Sequence, residues 1–446
     1  MASDVIASSS GLRTRMDVKN GVKLFFRLGV SIGKRLEGDF VLGHDTRKSS
    51  APFADALASG LSSVGMNVTV CGVCPVFVVS YLVSKRFADF GLMVTASHNP
   101  PEWNGLKLFG SSGVIVDGET ISSLSSDAFE SEAIPEIQRF DRAEELQEEY
   151  ARGLRSEFHQ LGLSAEGTRV AVDAGNGASA ALSRSVLEAA GANVVAINQD
   201  MNGNFRRAIE PTAGSLSGLG EVVRSNRCDF GVGYDCDGDR AVLSDEKGRV
   251  LREDMTLLAS LRCLLNRIST PFVVNCASSS AFSDLARATG RDLYLSKVGE
   301  RNVVLRMRET GSLLGGEGSC GGVIYSNLGA TRDGLLATMA IAALVRDAGP
   351  VSAIVGPYLK YHQHRVNVPF PKRADERRLL SSLRAIFPGT RCEEWDGLKF
   401  LEPDGWVLIR PSKTEPVVRV ISEALSEDRA RDLARKYSSS VRRLLG

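Results

Sequence analysis

Short apolar runs of strand length alternate with longer helical stretches along most of this chain, and no other feature restricts its fold so much. Residues 40–42, 68–70, 169–172 and 272–275 are compact apolar runs, with a helical stretch over 52–64 between the first two. Alternation of this kind predicts an α/β fold in which helices cover sheets. From 168 to 200 a strand, a Gly-rich turn, a helix and a second strand follow one another. Residues 252–355 repeat the theme, with a strand over 271–276 and a helix over 280–289. After Gly349-Pro350 the pattern changes, and 359–368 opens a more strand-rich terminal segment. The acidic stretch 123–149 reads as a solvated connection and helix between the first two domains. The longest apolar stretch, 334–345, is too short to cross a bilayer and predicts a buried helix.

A chain of 446 residues corresponds by length to about three domains. With 43% hydrophobic and 24% charged residues and a formal charge of +1, it has material for buried cores and no basic excess to attract nucleic acid. Eight cysteines are scattered; Cys71 and Cys74 alone form a C-x-x-C pair, in an apolar segment without a second pair, and are expected as small core residues. No disulfide framework is evident, which suits a reducing, cytoplasmic setting. Residues 1–10 lack the apolar core of a secretory signal, although their Ser content is faintly like a transit peptide.

Three segments carry chemistry. Thr95-Ala96-Ser97-His98-Asn99-Pro100 follows the apolar run 90–94, so Ser97 is delivered to the mouth of a sheet, where a serine beside a histidine can carry a covalent group. As a bare turn the segment is unremarkable, since Asn and Pro punctuate chains. Asp235-Cys236-Asp237-Gly238-Asp239-Arg240 puts three carboxylates within five residues, and these repel one another unless a cation sits among them. Oxygen-only ligands imply a hard ion, Mg²⁺ first. A calcium-binding EF-hand loop would need Gly at the sixth place, where Arg240 stands, and 241–243 continue as a strand. The third segment, Arg410-Pro411-Ser412-Lys413-Thr414-Glu415-Pro416, groups a guanidinium, an ammonium and hydroxyls, the donors a phosphate dianion requires.

Together these segments resemble the α-D-phosphohexomutases, the family of phosphoglucomutase, phosphomannomutase and phosphoglucosamine mutase, over almost the whole chain and in the family's order. Gly11-Leu12-Arg13 is similar to the family's opening element and Gly43-His44-Asp45-Thr46-Arg47 to its Arg-bearing loop. The stretch 95–100 with Asn104-Gly105-Leu106-Lys107 is similar to the phosphoserine loop and its downstream lysine. Lys297-Val298-Gly299-Glu300-Arg301 is similar to the specificity loop, and Gly316-Glu317-Gly318-Ser319 to the sugar-binding loop. The sugar loop departs from the family in lacking a histidine, Lys413 stands where Gly or Asn is usual, and Thr14 replaces a usual Gly.

The resemblance implies four domains around a central cleft: three related α/β domains over 1–145, 146–250 and 251–355, and a smaller α+β domain over 356–446. It implies an enzyme interconverting hexose 1- and 6-phosphates through a phosphoserine and a hexose 1,6-bisphosphate. Ser97 would carry the phosphoryl group and join Asp235, Asp237 and Asp239 around Mg²⁺. Arg240 would stabilise charge on the transferring group, and Lys107, ahead of His98, would move the proton. Glu317 and Ser319 would grip sugar hydroxyls; Arg410, Ser412, Lys413 and Thr414 would hold the distal phosphate, with Arg13, Lys297 and Gly299 in the same substrate-binding set. The partner is a small sugar phosphate, glucosamine phosphate before mannose or glucose phosphates, because Gly321-Gly322 resembles archaeal-type members. Neither nucleic acid nor membrane is implied, and a monomer or homodimer is expected. Two alternatives stay open: a sugar-phosphate sensor without turnover, and a dinucleotide-dependent enzyme using the Gly175-x-Gly177-x-x-Ala180 turn.

Overall fold

The computed structural model describes residues 5–8, 11–15, 17–135, 138–318, 321–371, 375–412 and 415–445. They build four sheets in chain order, three covered by helices and a fourth that is wholly antiparallel.

The first sheet has seven strands. At its centre Asp39–His44 runs parallel to Asn67–Val73 on one side and Phe90–Val94 on the other, while Asn104–Phe109 returns antiparallel beside Phe90–Val94. Phe90–Val94 is buried except at its first residue, which explains why it reads as a continuous apolar run, and Asn104–Phe109 is buried throughout although it carries Asn104 and Lys107. The acidic stretch is less solvated than its composition suggests. Asp141–Arg142 adds a strand to the far edge of this sheet, and the helix Gln147–Gln160 buries Tyr150, Ala151, Leu154 and Phe158. Its charges lie on the outer face of an amphipathic helix.

The second and third sheets share one plan. In the second, Phe230–Tyr234, Arg169–Asp173 and Asn193–Ile197 lie parallel, and Ala241–Ser244 folds back antiparallel on Phe230–Tyr234. In the third, Leu314–Gly316, Phe272–Asn275 and Leu293–Ser296 lie parallel, and Val323–Tyr325 folds back on Leu314–Gly316. The apolar run near 334 forms the helix Gly334–Ala348, capped by the Asp333 side chain on the N–H of Leu336 and ended at Gly349. Apolar on all sides, it lies in the core. No single described helix is long and apolar enough to cross a membrane. One continuous apolar core joins the first three units, and Cys71 and Cys74 are fully buried in it.

The fourth sheet, in the order His362–Pro369, Val417–Ala424, Gly405–Pro411, Leu398–Glu402 and Arg391–Glu393, has a separate core under the helices Glu376–Ile386 and Glu427–Leu445. It docks on the third unit through Trp406, whose indole N–H donates to Glu423 Oε1 (2.9 Å), an oxygen that also accepts the N–H of Ser280 (2.7 Å). Lys399 Nζ donates to the carbonyl of Cys276 (2.8 Å) across the same seam.

Each sheet contains one pair of antiparallel neighbours whose connection holds a segment singled out from the sequence: 95–103, 235–240, 317–322 and 412–416. A connection between antiparallel neighbours starts and ends at the same rim of its sheet, so a short loop there presents several side chains to one place.

Candidate active site

Ser97 leaves the strand Phe90–Val94 with φ +50°, a left-handed conformation rare for a residue with a Cβ. The surroundings over-determine it. Thr95 Oγ1 accepts the N–H of Ser97 (2.8 Å) and donates to Asp45 Oδ2 (2.7 Å). Arg47, paired with Asp45 at 3.0 Å, donates to the carbonyls of Ser97, Asn99 and Pro100 at 2.6–2.7 Å. Arg13 donates to the Thr95 carbonyl at 3.4 Å. So held, buried Ser97 donates its hydroxyl to Asp235 Oδ2 at 2.9 Å, although 138 positions separate the two in the chain.

Asp235, Asp237 and Asp239 lie in the hairpin between Phe230–Tyr234 and Ala241–Ser244, with Gly238 at φ +75° making the turn. All three are buried, and a carboxylate oxygen from each lies within 4.8 Å of the others. Burial first, then Asp237 and Asp239, hold the Asp235 carboxyl well above the usual range. Burial works against Asp239 as well, yet Arg332, Lys107 and Arg240 hold it below that range. Three such carboxylates ionise together only beside cations. Lys107 supplies one, with Nζ 2.8 Å from oxygens of both Asp237 and Asp239; burial pushes its ammonium down, but the two carboxylates outweigh this and raise it. Asp237 Oδ1 and Asp239 Oδ1 stay buried without a hydrogen bond. An all-oxygen set of buried carboxylates with oxygens that accept no hydrogen bond fits Mg²⁺.

Arg240 donates its N–H to Asp235 Oδ1 (3.2 Å), and its guanidinium pairs with Glu210 at 2.9 Å. His98 follows Ser97; burial first, then Arg240 and Arg13, push its imidazole down to about 2, and Nδ1 is buried without a hydrogen bond. Glu317 emerges from Leu314–Gly316, and its Oε1 accepts from Asn275 Nδ2 (3.1 Å) and the N–H of Gly299 (2.8 Å). Lys297 is exposed beyond the strand Leu293–Ser296. Arg410 pairs with Asp396, and the N–H of Ser412 donates to the Val417 carbonyl (2.8 Å). Ser319, Lys413 and Thr414 lie outside the described residues.

The fold thus brings Ser97, Lys107 and the three aspartates into direct contact, and Glu317 reaches them through a residue that sequence reasoning missed. Arg332 pairs with Asp239 (2.7 Å), Glu300 (2.9 Å) and Glu317 (2.9 Å). Nothing local marks it, since it stands beside the cap of an apolar helix and its partners lie 15 to 93 positions away. The Asp45–Arg47 brace was legible only as part of a resemblance. The Gly175–Ala180 turn is packed against the aspartate hairpin: the N–H of Ala178 donates to the Cys236 carbonyl (2.8 Å), and a Cβ at Gly177 would stand 2.8 Å from that oxygen. A pyrophosphate would need the space and the N–H that the hairpin takes.

Comparison with known proteins agrees along the whole chain. Residues 5–134, 148–248 and 253–361 match the phosphoglucomutase/phosphomannomutase alpha/beta/alpha domains I, II and III, and 366–438 match the C-terminal domain of the same group. A protein named probable phosphoglucosamine mutase, from Thermococcus gammatolerans, is 32% identical over 97% of each chain. A phosphoglucomutase/phosphomannomutase of Thermococcus kodakarensis is 31% identical over 91% of each. The crystal structure of a phosphoglucomutase/phosphomannomutase family protein from Burkholderia thailandensis shares the fold, with TM-score 0.82, 24% identity and coverage of 98% and 97%. So does Aspergillus fumigatus N-acetylphosphoglucosamine mutase, solved in complex with GlcNAc-6P and magnesium, at TM-score 0.62, 15% identity and coverage of 100% and 96%.

Proposed function

The chain belongs to the phosphoglucomutase/phosphomannomutase family and is a phosphohexomutase, and from that premise we propose that it interconverts hexose 1- and 6-phosphates by way of a phosphorylated Ser97 and a hexose 1,6-bisphosphate. Glucosamine phosphate is the first choice of substrate, because curated relatives similar to this chain carry the name phosphoglucosamine mutase; mannose and glucose phosphates come next.

One observation carries the reading: the Ser97 hydroxyl stands 2.9 Å from Asp235 inside a buried trio of aspartates. In the forward half-reaction the Oγ–P bond of phosphoserine breaks as a sugar oxygen bonds to phosphorus, and the sugar hydroxyl's proton leaves to a nearby base. The second half runs this backwards at the other end of the bisphosphate. Phosphoryl transfer asks the protein mainly for alignment and charge neutralisation. Arg47 and Thr95 fix the alignment of Ser97; Asp235, Asp237 and Asp239 would hold the cation, and Ser97 would be a further ligand. When bound, Mg²⁺ supplies Lewis-acid neutralisation of the transferring phosphoryl oxygens. Arg240 is assigned to the same developing charge, and Lys107 and His98 to proton transfer. Glu317 keeps one lone pair, on Oε2, for a sugar hydroxyl beyond the bonds it already accepts, and Ser319 shares that task. Arg13, Lys297, Gly299, Arg410, Ser412, Lys413 and Thr414 complete the grip on substrate. Closure of the fourth unit would exclude water, and its opening would let the intermediate turn over.

The proposal includes unit boundaries near residues 145, 250 and 355, a monomer or homodimer, and a reducing, cytoplasmic setting in which the seven described cysteines remain unbonded. The test is isotopic. Incubation with ³²P-labelled hexose 1,6-bisphosphate and Mg²⁺ labels the wild type but not Ser97→Ala, and label retained by the alanine variant removes Ser97 from the mechanism. Comparing kcat/KM for glucosamine, mannose and glucose 1-phosphates identifies the sugar.

A further inference from the structure

Arg332 sits immediately before the helix Gly334–Ala348, and its guanidinium reaches three carboxylates on three separate segments. Nη2 meets Asp239 Oδ2 in the aspartate hairpin at 2.7 Å. Nε meets Glu300 Oε2 at the start of the helix Glu300–Thr310, and Nη1 meets Glu317 Oε2 in the sugar hairpin, each at 2.9 Å. Arg332 and Glu317 are more than nine-tenths buried and Asp239 is fully so, which leaves little screening by solvent. The two hairpins also touch through backbone: a side chain at Gly322 would stand 2.1 Å from the Asp239 carbonyl oxygen, and one at Gly321 would stand 1.8 Å from that of Ala241. The glycine pair is therefore required for close approach.

Resting on the mutase reading, we infer that Arg332 is a positioning residue that locks the sugar-gripping Glu317 onto the hairpin bearing Asp239. Its planar fork is what the task demands, since Nη1 and Nη2 donate to Glu317 and Asp239 while the same plane lies beside Glu300 as an ion pair, whereas an ammonium serves them as a single point. With Oδ2 of Asp239 occupied by Arg332 and Lys107, the unbonded Oδ1 is the oxygen left for a cation. Arg332 thereby sets the distance between the hydroxyl held by Glu317 and the place where phosphoryl transfer occurs.

A double-mutant cycle tests this. Binding of glucosamine 1-phosphate, and of glucose 1-phosphate as second probe, is measured by calorimetry in saturating MgCl₂ for wild type, Arg332→Met, Glu317→Gln and the double variant, alongside kcat and KM. Arg332→Met should weaken binding about tenfold, a loss of about 1.4 kcal/mol, and Arg332→Lys should fall between it and wild type. The double variant should bind no more than about twofold worse than the weaker single one, because each change breaks the same unit. Effects that multiply, or an Arg332→Met protein that binds as wild type does, overturn the inference. If Arg332→Met does not fold, the cycle is run with Arg332→Lys and the same criterion applies. Intact binding without turnover in the wild type counts against the mutase chemistry and not against Arg332, whereas a wild type that binds no hexose phosphate removes both.

Discussion

Lys107 is the cation that touches both Asp237 and Asp239, beside the guanidinium of Arg332 on Asp239, so replacing it makes the stability of the protein depend on Mg²⁺. Its ammonium lies 2.8 Å from oxygens of both Asp237 and Asp239 and is almost wholly buried. Removing one partner of a buried ion pair costs about 3–5 kcal/mol, because the other charge is left uncompensated. For a cooperative unit of roughly 150–250 residues each kilocalorie moves the melting temperature by about 2–4 °C. Lys107→Met in EDTA should therefore melt roughly 6–20 °C below wild type. Mg²⁺ at a hundredfold excess over its dissociation constant returns about 2.7 kcal/mol. The variant should reach that excess at lower concentration, since no ammonium competes for Asp237 and Asp239. Scanning fluorimetry at one fixed MgCl₂ concentration should then show a larger upward shift for Lys107→Met than for wild type. Equal shifts, or a variant that melts with wild type in EDTA, would refute the view that Lys107 stands in for the metal.

Three further outcomes follow from the geometry. Ser97 has φ +50°, so Ser97→Gly should be more stable than Ser97→Ala by about 1 kcal/mol in urea denaturation, both being inactive; an alanine variant of equal stability would mean that the left-handed backbone carries no strain. Burial raises the Asp333 carboxyl to about 6, against donors from Tyr150 and the N–H groups of Leu336 and Leu335. A folded-state value above the unfolded one means the native state binds the extra proton, so this group's contribution is most favourable below about pH 4 and declines as pH rises through about 6. Asp333→Asn should therefore gain stability over wild type at pH 8 relative to pH 4.5, by up to roughly 2 kcal/mol, and a difference that ignores pH would contradict the shift. Arg410→Met should raise KM for the sugar phosphate about tenfold or more while changing kcat less; an unchanged KM would remove Arg410 from the phosphate cradle.

How much of this was legible beforehand follows the distance between cause and partner along the chain. The acidic triplet could be read because its members are contiguous and their repulsion is a local fact. The serine loop and the Arg410 loop could be read because a strand, a turn and a second strand are adjacent in sequence. The helix Gly334–Ala348 announced itself by apolar length, with its Asp333 cap beside it. Other features were not available in that way. The acidic stretch hid the amphipathic face of Gln147–Gln160, since charge content says nothing about which side a helix presents. The Gly-rich turn at 175–180 satisfied a dinucleotide pattern until the aspartate hairpin was seen filling it.

Local pattern alone determined that this chain would alternate strands with helices, gather carboxylates suited to a hard cation in one acidic turn and place a serine at the rim of a sheet. Only the tertiary structure decided that these belong to one centre: Ser97 meets Asp235 across 138 positions, Lys107 meets Asp239 across 132 and Arg332 meets Asp239 across 93. The reason is physical. Propensity and turn chemistry act between neighbours in sequence, whereas an ion pair depends on separation in space, which is set only when the first three sheets pack around a common core.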